Sequence, residues 1–149
     1  MWKAICAVVP LALIGVVLMG AAETSNAGDK AAIEKTIQLY FDGIIKYDEA
    51  GLRTAFHPDA FVIGTKKDGT LEREPFGEWV LYTRGTAPDP TGRINKIVSI
   101  DVTGNAAVVK TDLDWPSAHY TDYLSLIRID GEWKIVNKIW HRDEPTKRD

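Results

Sequence analysis

The sequence predicts an α+β domain in which helices come first and an antiparallel sheet closes the chain, with the helices packed across one face of the sheet. Three observations carry this. Apolar residues recur with helical spacing in the first part of the chain, and with a period of two after Gly92. The later runs are separated by short turn signals, Gly104-Asn105, Pro116-Ser117 and Asp130-Gly131. The chain has 149 residues, 45% of them hydrophobic and 26% charged, which suits one globular domain and neither a disordered nor a collagen-like chain.

In order along the chain, Met1 to Ala27 reads as a leader. Lys3 gives a positive end, Ala4 to Gly20 is uncharged and almost wholly apolar, and small residues close the segment at Ser25-Asn26-Ala27. This is the pattern of a secretory signal peptide cleaved after Ala27, with Ala21 and Ala22 as alternative sites and an uncleaved anchor as the rival reading. The expected address is periplasmic or secreted. The domain then occupies residues 28–142, and 143–149 forms a charged tail.

Ile33, Ile37, Tyr40, Phe41, Ile44 and Ile45 fall on one stripe of a helix over 29–46, with Asp29 as its cap. Asp48 is placed to cap a second helix carrying Leu52, Ala55 and Phe56, which Pro58 stops. Short strands at 60–64 and 71–73 make a hairpin, and Pro75 opens a third helix carrying Phe76, Trp79 and Val80. Gly85 to Gly92 is a loop. Four strands follow, at 93–102, 106–115, 119–129 and 133–141.

Several function classes are excluded or disfavoured. The formal net charge of -3 does not suit a phosphate backbone, so nucleic acid is not the expected partner. The single cysteine, Cys6, lies in the leader. No dinucleotide fingerprint, phosphate loop or paired-histidine zinc motif is present, so no cofactor or metal is expected.

The order of elements carries a resemblance. Tyr40-Phe41-Asp42-Gly43 ends an early helix, Phe56-His57-Pro58-Asp59-Ala60 precedes a hairpin, and Asp130-Gly131-Glu132-Trp133-Lys134-Ile135-Val136 turns the last hairpin. This resembles the nuclear transport factor 2-like (NTF2-like) superfamily, also called cystatin-like, and within it the bacterial group labelled "putative lumazine-binding", over roughly residues 30–142. The resemblance implies a curved sheet wrapped around the helices as a cone with a cavity at its wide end, and often a homodimer through the outer sheet face. It does not imply one chemistry.

Pairing Arg128 with Trp133 and counting regularly away from the turn puts Tyr120, Asp122, Leu124, Leu126, Trp133, Ile135, Asn137, Ile139 and His141 on one face. Its apolar members select it to meet the helices. Its polar members cluster at the end away from the turn, as in a ligand pocket. Asp122 and His141 form the expected acid–base pair, with Tyr120 as a donor to a developing oxyanion; mutual satisfaction at a sheet rim is the alternative. Asn137, Trp115, Trp79 and His57 are further ligand-binding candidates, although Trp115 and Trp79 also suit a core or dimer contact and His57 a helix end. The opposite face then carries Tyr123, Ile127, Val136 and Trp140, an apolar surface suited to a two-fold homodimer.

The leading expectation is a domain that binds a small, partly apolar molecule. The alternatives are a cofactor-independent isomerase or dehydratase using Asp122, His141 and Tyr120, and a non-catalytic interaction subunit.

Overall fold

The computed structural model describes residues 14–143. Residues 1–13 of the expected leader, and the tail beyond Asp143, lie outside the described residues. Three helices, α1 (Ile14–Lys46), α2 (Glu49–Ala55) and α3 (Phe76–Trp79), the last continued by a 3-10 turn (Val80–Arg84), pack against a six-stranded sheet. The strands are β1 (Phe56–Thr65), β2 (Leu71–Pro75), β3 (Ile94–Thr103), β4 (Ala106–Trp115), β5 (Ala118–Ile129) and β6 (Glu132–Asp143), in the order β2-β1-β6-β5-β4-β3. Strands β3 to β6 form the expected antiparallel meander. Strand β1 lies parallel to β6, so the early hairpin extends the same sheet.

The apolar stripe of α1 explains the core. Ile33, Ile37, Tyr40, Phe41 and Ile44 are buried against inward residues of the sheet, among them Val109, Leu113, Leu124, Leu126 and Ile135. Each fully buried aliphatic side chain contributes roughly 1.5–3 kcal/mol, so this face holds the sheet onto the helix. The rings of Phe56 and Phe76 stack at 4.7 Å between centroids and extend the core under β1.

Local signals hold in part. Asp48 caps α2 as expected, its carboxylate accepting from Gly51 N–H at 3.0 Å. Asp29 is not a cap, because α1 is continuous back to Ile14. Its carboxylate instead accepts from Arg128 at 2.6 Å and from the Trp133 indole at 3.3 Å, tying the helix to the β5–β6 hairpin. Helix α2 ends at Ala55, and Pro58 lies inside β1. Pro75 ends β2 and immediately precedes α3, rather than lying in its first turn.

The consequential departure is in the last hairpin. Asp130 and Gly131 both adopt positive φ, 51° and 83°, and pairing starts as counted, with Arg128 opposite Trp133 and Leu126 opposite Ile135. The next pair is Ser125 with Asn137, so Val136 is an extra residue, a β-bulge in β6. Beyond it every side chain of β6 changes face. Lys138, Trp140 and Arg142 turn toward the helices, while Asn137, Ile139 and His141 turn away. The regular count placed Lys138 and Trp140 outward and Asn137, Ile139 and His141 inward. Strand β1 also changes register against β6 at this point, between Phe56 and Phe61.

Candidate functional site

The inward faces of β4, β5 and β6, the end of α1 and the 3-10 turn enclose a cavity of about 350 Å³, a size suited to a small organic ligand. Its walls are aromatic. Trp115 and Tyr120 meet edge to face at 5.4 Å, as do Trp79 and Tyr82 at 4.9 Å and Tyr47 and Tyr82 at 5.2 Å. Trp140 supplies a further wall. Its indole lies against Gly64 of β1, where a Cβ would fall only 2.1 Å from the ring, so the glycine is what lets the indole lie flat on the strand. Tyr47 is held with a positive φ of 55° at the end of α1, uncommon for a bulky residue, and this aims its ring at Tyr82.

In the inner wall lies a polar cluster. The Tyr40 hydroxyl donates to Asp122 Oδ2 at 2.5 Å and accepts from Lys138 Nζ at 2.6 Å, and Lys138 Nζ lies 3.2 Å from the same Asp122 oxygen. Tyr40 and Asp122 are fully buried and Lys138 is 8% exposed, and all three line the cavity. The ammonium also lies 4.9 Å from the Tyr40 ring centroid and 5.3 Å from that of Trp79. Burial first, then the Asp122 charge and hydrogen bond, hold the Tyr40 phenol well above its usual range. Burial chiefly, then Tyr47, raises Tyr82 as well. The other carboxylate oxygen, Asp122 Oδ1, is buried without a hydrogen-bond partner, as is Thr111 Oγ1 on the neighbouring strand.

Two more cations line the cavity. The Arg93 guanidinium lies 4.3 Å above the Trp115 ring, and Arg142 donates to Ser117 C=O at 3.3 Å. Neither forms a close ion pair among the described residues, although the Asp89 carboxylate, lowered first by its hydrogen bonds with Thr91, also feels the Arg93 charge. With Asp122 already matched by Lys138, the cavity carries an excess of positive charge on a chain of net charge -3.

Of the residues expected from sequence, Asp122, Tyr120, Trp115 and Trp79 line this cavity. His141 does not. Its side chain is 67% exposed and bonded to Asp143 at 3.1 Å, because the bulge turns it outward. Asn137 is turned outward by the same shift, opposite Ser125. His57 sits at the start of β1, away from the cavity, its Nδ1 accepting from Asp59 N–H at 3.2 Å. Trp140, expected on the outer face, lines the cavity instead. Among the described residues no cluster of His, Cys, Asp or Glu is arranged to hold a metal ion. The counting missed Lys138, Trp140 and Arg142, which alternate along β6 and are recovered once Val136 is skipped. Tyr40 sits in the apolar stripe of α1 and reads there as core.

The family model described as "putative lumazine-binding" matches residues 28–141. The chain belongs to this family. The NTF2-like fold is shared with a protein of unknown function from Shewanella baltica OS155, at a TM-score of 0.74 and 28% identity, covering 80% of this chain and 97% of that one. A protein of unknown function from Silicibacter pomeroyi DSS-3 shares the fold at a TM-score of 0.72 and 22% identity, over 79% and 98% of the two chains. A protein of Cladobotryum sp. named aldolase FrzH is 28% identical over 116 residues, 74% of this chain and 88% of that protein. Family and cavity agree on a small-molecule-binding NTF2-like domain whose ligand is unassigned. Among the described residues no helix is long and apolar enough to cross a membrane.

Proposed function

We propose that the cone binds a planar, anionic small molecule, its ring held between aromatic walls and its acid group directed at Arg93 and Arg142. The observation that carries this is the pair of guanidiniums, with no close ion-pair partner among the described residues, in a cavity walled mainly by rings. Flat walls favour a conjugated ligand, and a guanidinium favours a carboxylate, phosphate or enolate. The test uses quenching of the cavity tryptophans by 2-naphthoate and by its neutral amide. Naphthoate is expected to bind roughly tenfold or more tightly, since a hydrogen bond to a charged group contributes about 1.5–3 kcal/mol. Equal binding of acid and amide would refute the charge selection.

A catalytic reading is favoured by one specific feature, the placement of Lys138 beside the hydrogen-bonded pair of Asp122 and Tyr40. The similarity to a protein named as an aldolase supports it. In this reading the acid–base machinery is Asp122 with Lys138 and Tyr40, with His141 outside it.

The outer sheet face supports a homodimer as part of the same proposal. Tyr123 is 47% exposed and its cross-strand partner Ile139 49%, with Val108 and Ile127 nearby on the same side. Opposite Tyr123, Ile139 takes the place that regular counting gave to Lys138; Trp140 leaves this face and Val136 is the bulge residue. A face of this kind is covered in a stable assembly. A periplasmic or secreted address, read from residues 1–27, completes the proposal.

A further inference from the structure

We propose that Lys138 is a nucleophile that condenses with the carbonyl group of a ligand in the cone to form an imine, with Asp122 as its proton acceptor and donor. The proposal rests on the binding reading above and adds a covalent step to it.

The placement of Lys138 sets it apart from a surface lysine. Its amino group lies in the wall of a cavity, beside the rings of Tyr40 and Trp79. The amino group donates to the Tyr40 hydroxyl and lies at ion-pair distance from Asp122 Oδ2, and the side chain lines the cavity. Such an environment strips water from the amine, as activation of a lysine nucleophile requires.

A purely structural ion pair satisfies its remaining lone pairs with further hydrogen bonds. Here one does not. Asp122 Oδ1 is buried and unpartnered, although Oδ2 accepts from Tyr40 and forms the ion pair with Lys138. The carboxylate therefore has an unused oxygen within the inner wall. Tyr40 stays protonated, so its hydroxyl continues to donate to Asp122 while it accepts from Lys138.

The step balances without any co-reactant. The Lys138 ammonium gives one proton to Asp122, leaving a neutral amine and a carboxylic acid. The nitrogen lone pair attacks the carbonyl carbon, and the π electrons move to oxygen. A proton passes from nitrogen to that oxygen, giving a neutral carbinolamine. Asp122 then returns its proton to the hydroxyl, water leaves, and the nitrogen lone pair closes the C=N bond. The products are one water and an iminium whose positive charge again faces the Asp122 carboxylate. In the iminium, the carbon next to the former carbonyl can lose a proton or a bonded carbon group, as electrons flow to nitrogen.

Borohydride trapping tests this on the folded full chain. The probe is phenylpyruvate, which carries a ring, a carboxylate and a ketone. Phenyllactate, which lacks the ketone, reports binding alone through tryptophan quenching. Reduction with borohydride is expected to fix the phenylpyruvate adduct as a secondary amine on the peptide bearing Lys138, and Lys138→Arg is expected to lose that adduct. Asp122→Asn is expected to slow its appearance. If phenyllactate binds and the Lys138 peptide stays unmodified, the imine is overturned and the binding reading stands. Modification spread over surface lysines, unchanged in Lys138→Arg, also overturns it. If neither probe binds or reacts, both readings fall.

Discussion

Lys138, Tyr40 and Asp122 are the residues on which the inner wall depends. Removing one partner strands the others. Lys138→Met leaves a buried carboxylate without its cation and is expected to cost about 3–5 kcal/mol in urea unfolding. Adding Asp122→Leu and Tyr40→Phe should restore much of that loss, because an apolar cluster needs no compensation there; a triple variant no more stable than the single one would show the groups to be uncoupled. The pair Tyr40 and Asp122 also sets an alkaline limit. The buried Tyr40 phenol is raised, so the unfolded chain releases this proton first. Its contribution is whole below pH of about 10, where an unfolded tyrosine ionises, and declines as the pH rises above that. Stability measured against pH should therefore fall less steeply in Tyr40→Phe, by up to about 1.4 kcal/mol per pH unit above that point.

Strand β6 decides what faces the ligand, and Gly64 on β1 decides where its key ring lies. Gly64→Ala places a methyl group inside the Trp140 ring position, so either the ring or the strand must move. A loss of about 1–3 kcal/mol is expected from such overpacking, with a shift in tryptophan emission and weaker ligand quenching. Unchanged emission would show that Trp140 is not held by this contact. The same strand shows how much the sequence disclosed. The turn residues Asp130-Gly131 and the alternating apolar positions fix the first pairs of the hairpin, and those pairs are correct as counted. Val136 is an ordinary strand residue with no glycine beside it, so nothing local marks the bulge. One extra residue then moves His141 and Asn137 out and brings Lys138 and Trp140 in. Asp122 and Tyr120 were legible because β5 runs without a break against β4, from Ala106–Ile127 to Trp115–Ala118. Tyr40 was not, because its partners lie on β5 and β6, and helical spacing records only that it is buried.

At the scale of the whole molecule, the sheet separates two roles. Its inner face encloses the cavity, and its outer face presents Tyr123, Ile139, Val108 and Ile127. If two copies associate there, Tyr123→Lys combined with Ile139→Lys should convert the assembly to monomers in sedimentation velocity while the cavity still quenches with naphthoate. A wild-type chain that sediments as a monomer at high concentration would remove the dimer and leave the binding site untouched.

The Asp29 carboxylate bears on how far the front of the chain can be shortened. It holds both Arg128 and the Trp133 indole, at the opposite end of β6 from Arg142 on the cavity rim. A chain trimmed to begin at Gly28 keeps this clasp. One trimmed to begin at Lys30 loses it and leaves an arginine and an indole N–H to find water instead. Deletion series should therefore show a step in melting temperature at that one residue, with little change before it.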